Sequence, residues 1–143
     1  MNKIFIVVLF MLCVTSLSSF GQQATGINKG MEDISGQCAE CAAYFKLVYH
    51  AMVSSNETDT AKSYSELEDM VMFYSLLLAN QGRDKDTAIE VTNSRIEMNM
   101  KMMKQETNNR NENISILINK YHFGCLEIIK NPPEILLKLI KNY

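Results

Sequence analysis

The only two prolines of the chain stand side by side, at Pro132-Pro133. Proline stops a helix because it has no N–H to donate and its ring clashes with the preceding turn. With six glycines as the other strong punctuation in 143 residues, the sequence predicts few turns and long uninterrupted elements. No polar–apolar alternation of any length is present, and no internal repeat. Apolar residues recur instead at steps of three and four, the period of an amphipathic α-helix.

The first residues belong to a different kind of segment. Met1 to Lys3 is a short basic start, and Ile4 to Val14 is unbroken apolar sequence. That run falls short of the ~20 residues needed to span a bilayer. Ser19-Phe20-Gly21 supplies a small-x-small cleavage site, so residues 1–21 read as a removable signal peptide. The rival reading, an uncleaved anchor from Ile4 to Phe20, is opposed by the polar Ser/Thr cluster. Leu12 stands before Cys13 where lipid attachment requires a small residue, which argues against a lipoprotein. No later segment reaches membrane-spanning length. The expected mature protein is therefore periplasmic or secreted, one domain of roughly 120 residues, long enough to bury a core. Two sequons, Asn56-Glu57-Thr58 and Asn113-Ile114-Ser115, matter only in a eukaryotic secretory pathway. The Ile/Lys/Asn-rich wording favours a bacterial source.

Residues 22–34, polar with Gly26 and Gly30, read as a flexible N-terminal arm. The domain proper, residues 35–143, holds four helical patterns and a short fifth. The first is capped by Ser35 and carries Cys38, Cys41, Ala42, Phe45, Val48, Tyr49 and Met52 on one face. The second, from about Asp59 to Asn80, has a stripe of Tyr64, Leu67, Val71, Tyr74 and Leu78, widened by Met70, Phe73 and Leu77. A face that wide predicts two neighbours, and Gly82 is placed to end the helix. The third starts at Asp84 or Asp86, with Thr87-x-x-Glu90 resembling a capping box. Its core face reads as Ile89, Ile96, Met100 and Met103, extended by the polar Asn93 and Thr107. The asparagines at 108, 109, 111 and 113 break it. The fourth, capped by Asn113, lines up Ile114, Leu117, Ile118, Tyr121, Cys125, Ile128 and Ile129 and stops at Pro132. Pro133 opens a last helix, Glu134 to Lys141, which either closes the end of the bundle or lies on a membrane or partner. The expected fold is all-α: an antiparallel four-helix bundle with a short fifth helix, stapled by one disulfide.

The mature chain keeps Cys38, Cys41 and Cys125, and an exported protein normally oxidises a pair. Antiparallel first and fourth helices place Cys41 opposite residue 126 and Cys38 opposite residue 129. Cys41–Cys125 is the better register; Cys38–Cys125 lies within a turn of it. The remaining thiol, Cys38, makes Cys38-Ala39-Glu40-Cys41 a C-x-x-C. Under a Ser35 cap, Cys38 would sit in the first turn, where the helix dipole lowers a thiol pKa. That permits a thiol–disulfide redox reading, although the usual βαβ setting is missing. Ala42 stands where c-type haem attachment needs histidine, and one C-x-x-C is a weak zinc signal.

Met98-Asn99-Met100-Lys101-Met102-Met103 is the most unusual composition, since thioethers suit Cu(I). The four methionines diverge on a helix: Met100 and Met103 face the core, while Met98 and Met102 form a separate strip. That strip is a candidate interaction surface or soft-metal site. His50 and His122 are predicted not to meet, with His122 level with residue 45. A haem between His122 and a facing methionine finds none at the matching level.

Formal net charge is −2, and −3 once Lys3 is lost with the leader. The basic residues are scattered singly, which excludes a nucleic-acid footprint. No nucleophile-elbow, P-loop, metalloprotease or EF-hand pattern is present. The function expected is an exported protein-binding module, adaptor or inhibitor, without catalysis or cofactor, whose partner is another envelope or extracellular protein. Soft-metal binding at Met98 and Met102, and redox chemistry at Cys38 and Cys41, are the alternatives.

Overall fold

The computed structural model describes residues 29–143, and the reading of residues 1–21 as a leader lies outside them. Five α-helices follow in order: α1 Lys29–Ser54, α2 Thr58–Ala79, α3 Lys85–Glu106, α4 Ile114–Lys130 and α5 Glu134–Lys141, with a 3₁₀ turn at Asn111–Asn113 before α4. No strand occurs among the described residues. The expected all-α bundle with its short fifth helix is the observed fold.

α1 starts at Lys29, six residues before its expected cap. Residues 29–34, read from sequence as part of the arm, are therefore helical, while 22–28 lie outside the described residues. Ser35 is no cap: it is fully buried inside the helix. Its hydroxyl donates to the Ser75 carbonyl at 3.0 Å, and the Ser75 hydroxyl donates back to the Ser35 carbonyl at 2.9 Å. One turn earlier, Glu32 binds Arg83 with one carboxylate oxygen and Arg95 with the other. Arg95 also donates to Ser35 Oγ at 3.1 Å. These links across the bundle hold a glycine-containing first turn that local propensity alone disfavours.

α1 is also more than one stave among four. Cys38, Ala39, Cys41, Ala42, Ala43, Tyr44, Phe45, Leu47 and Val48 are all buried. Successive residues in a helix step by 100°, so this set surrounds the axis, and a helix that is apolar all round is an interior one. Its alanines let neighbouring backbones come close. The expected single face was too narrow, because the small residues Ala39 and Ala43 add a second and third contact side.

α2 buries Ala61, Val71, Ser75, Leu77, Leu78 and Ala79. Met70 and Phe73 turn outward, so the stripe widens on the Ser75–Ala79 side instead. The turn after α2 passes through Gly82 at φ 93°, a left-handed conformation open to glycine. Asp84, with its carboxylate accepting from the Thr87 amide at 2.9 Å and hydroxyl at 2.6 Å, caps α3. Thr87 thus serves the Asp84 cap, not a box with Glu90. The buried face of α3 is Ala88, Thr92, Ile96, Asn99 and Met103, continued by Thr107. Ile89 and Asn93 point to solvent. The shift of stripe follows from size and charge: Ala88 and Thr92 permit close approach, and the rotation sends Arg95 to Glu32.

Asn108 and Asn109 adopt φ of 54° and 57° and end α3, as the asparagine run predicts. Asn113 precedes α4 but makes no side-chain cap; its amide donates to the Thr107 carbonyl at 2.9 Å. After Pro132, α5 folds back. Leu136 is fully buried with Cys38, Leu77 and Leu78, with Ile135, Leu139 and Ile140 packed around them. The tail helix therefore closes the end of its own bundle.

Candidate interaction surface

Three links fix α4 against α1. Cys41 and Cys125 form the disulfide, Cα to Cα 5.4 Å. Tyr44 Oη and His122 Nδ1 are hydrogen-bonded at 3.0 Å, and Asn111 donates to Ser54 Oγ at 3.2 Å. Each step up α1 is matched by a step down α4, so the helices are antiparallel in the register that favoured Cys41 over Cys38. His122 meets Tyr44, one residue from its expected level, and His50 is exposed.

Cys38 belongs to another neighbourhood. It is fully buried in the α1–α2–α5 cluster. Because α1 begins at Lys29, Cys38 sits in the third turn, beyond reach of the dipole. Burial pushes its thiol up to about 12 instead of lowering it. The C-x-x-C thus splits into one bridged cysteine and one sequestered thiol.

Around the bridge lies an aromatic cluster. The Tyr44 ring stands 4.9 Å from Phe45, 6.0 Å from Tyr121 and 6.5 Å from Tyr64, centroid to centroid. Burial holds the Tyr44 phenol far above its ordinary range. At the edge, Lys120 donates to both oxygens of Glu106 at 2.9 and 2.8 Å, and Tyr121 donates to Oε1 at 2.8 Å. These bonds, Lys120 foremost, hold the Glu106 carboxyl below its usual range and tie α3 to α4.

Outside this cluster the surface opens. A groove of about 520 Å³ runs over the disulfide between α1 and α4, lined among others by Gln37, Glu40, Ile128 and Pro133. Beside it Phe123 projects with 81% of its surface exposed. Gly124 follows, and a Cβ placed there would meet nothing within 4 Å among the described residues. Its backbone is ordinary helix, so neither turn nor packing within the chain requires a glycine that weakens the helix by about 1 kcal/mol relative to alanine. Ile116, Lys120, Phe123, Gly124, Glu127 and Asn131 are all exposed. At 100° per residue they share one face about 100° wide.

Sequence reasoning passed over this face. Phe123 lies outside the apolar stripe from Ile114 to Ile129 that the periodicity picks out. The available signal was a large aromatic off the apolar stripe with a glycine beside it.

Met98 and Met102 stand outward on α3, 57% and 46% exposed, while Met103 is buried and Met100 partly so. The divergence expected from helix geometry is the one observed. Among the described residues no group of three His, Cys, Asp or Glu side chains is placed to hold a metal ion. A smaller apolar cleft between α2 and α3 contains Phe73, Leu76 and Ile89, and the C-terminal Tyr143 already lays its ring 5.4 Å from that of Phe73. Among the described residues no helix is long and apolar enough to cross a membrane. No family model matches the chain, and no curated protein or solved structure matches it either.

Proposed function

We propose that the chain is an exported, non-catalytic binding module that acts through the outer face of α4 in the periplasm or extracellular space. The observation that carries this reading is Phe123, a fully projecting aromatic beside a groove. Large exposed aromatics are the residues that anchor interfaces when they are desolvated by a partner. The basic-apolar-small pattern of residues 1–21 supports export, and a structural disulfide suits an oxidising compartment. Cys38, buried and hard to ionise, offers no support for redox exchange, which needs an accessible thiolate.

A photo-crosslinking residue in place of Phe123 tests the reading in the intact envelope. A discrete adduct at 123, and none from a probe at exposed Asn93 on α3, is the expected result. No adduct at position 123 under any growth condition would remove the proposal.

Met98 and Met102, one turn apart and exposed, favour a second reading, soft-metal binding. A Cu(I) titration unchanged by M98L/M102L would dispose of it.

A further inference from the structure

We infer that the partner of this face is a second copy of the chain, joined through an antiparallel α4–α4 pair about a two-fold axis between Phe123 and Gly124. The inference rests on the binding reading above and names its partner.

An isologous interface must be complementary to itself: each surface feature has to meet its counterpart across the axis. The exposed face of α4 has that property. In an antiparallel pair centred between residues 123 and 124, each step up one helix is matched by a step down the other. Phe123 and Gly124 flank the axis on opposite sides of the contact, so Phe123 packs beside Phe123 of the second copy while the two Gly124 positions let the backbones close on the other side. Lys120 meets Glu127, and Ile116 meets Asn131. The Lys120–Glu127 pairing occurs twice, so the charges along the face, positive at 120 and negative at 127, complement themselves only in the antiparallel sense. A parallel pair would set Lys120 against Lys120 and Glu127 against Glu127.

Existing contacts leave room for these pairings. Glu106 takes two hydrogen bonds from Lys120, whose ammonium has three donors. Asn131 donates to Glu127 Oε1 at 2.7 Å, which leaves Oε2 for a partner lysine. Gly124 is the second, independent pointer. Among the described residues nothing comes within 4 Å of where a Cβ would be, so a second backbone has room to approach closely there. The groove over the disulfide, edged by Phe123, Gly124 and Ile128, widens the same surface toward α1.

The test is sedimentation velocity of the exported chain, purified from the compartment where it accumulates, from micromolar to millimolar. A reversible monomer–dimer equilibrium is expected. F123S abolishes it, and E127K weakens it on the order of tenfold by placing like charges together. K120E/E127K, which restores opposite signs, recovers most of the lost affinity. G124A discriminates further, because it raises the melting temperature of the dilute monomer yet weakens the dimer. A chain that stays monomeric throughout, or a dimer indifferent to F123S and to the charge exchange, overturns the inference. Monomeric behaviour combined with an adduct of another mass at position 123 would overturn self-pairing alone and leave the binding reading standing.

Discussion

Glu32 is gripped from two directions, by Arg83 in the segment after α2 and by Arg95 in α3. The Arg83 hydrogen bond, and after it Arg95, hold its carboxyl below the ordinary 4.5. A folded-state pKa below the unfolded value stabilises the fold above the unfolded pKa, and that share is lost as pH falls through the folded value. E32Q should therefore lower stability by about 2 kcal/mol at neutral pH. The gap to the parent protein should narrow as pH falls below 4.5, as the parent's carboxylate takes up its proton. Urea titrations from neutral to acid pH read both, and a gap that does not shrink as pH falls would refute the linkage. Thr92 makes the opposite case. Its hydroxyl is fully buried without a hydrogen-bond partner among the described residues. T92V keeps the shape and removes a desolvated polar atom, so it should stabilise by about 1 kcal/mol. A lower melting temperature would show that the hydroxyl is satisfied after all. For Cys38, burial and a raised pKa predict alkylation only on unfolding. Mass spectrometry after iodoacetamide treatment with and without guanidinium decides it.

Among the elements, α5 is the shortest, eight residues long, yet it inserts Leu136 into the cluster of Cys38, Leu77 and Leu78. L136A should cost about 3 kcal/mol, the usual loss for a fully enclosed leucine. A loss under 1 kcal/mol in denaturant titration would mean the helix only rests on the surface. This element was legible in advance: Pro133 marks its start, and Ile135, Leu136, Leu139 and Ile140 give it one apolar side. The α1–α4 register was equally legible, since helix rise and antiparallel direction leave Cys41 little choice of partner. Other features were not. The N-terminal extension of α1 depends on Glu32 and Ser35 finding partners 40 to 63 residues away, which no local pattern of Gly30 and polar neighbours conveys. The orientation of α3 was misread because periodicity rewards large apolar side chains, whereas Ala88 and Thr92 are buried for their smallness. Phe123 and Gly124 escaped because an outer face leaves no periodic trace.

At the scale of the whole molecule, α1 is the axis on which the others lean, and the Cys41–Cys125 bridge joins that axis to the last long helix across 84 residues of chain. Closing a loop of that length in the unfolded chain is worth about 4 kcal/mol in the chain-entropy model. Reduction should cost a comparable amount in guanidinium titrations. A change under 1 kcal/mol would mean that packing of Tyr44, Tyr64 and Tyr121 alone sets the fold. The same bridge has a second effect, on how the protein responds to a cut in its backbone. The exposed turns at Asn56, at Gly82 and at Asn108-Asn109 all lie between the two bonded cysteines. One cut in any of them leaves a fragment holding Cys41 tied to a fragment holding Cys125. A nicked molecule therefore keeps its full mass until a reductant reaches it, and its pieces stay near enough to remain folded together.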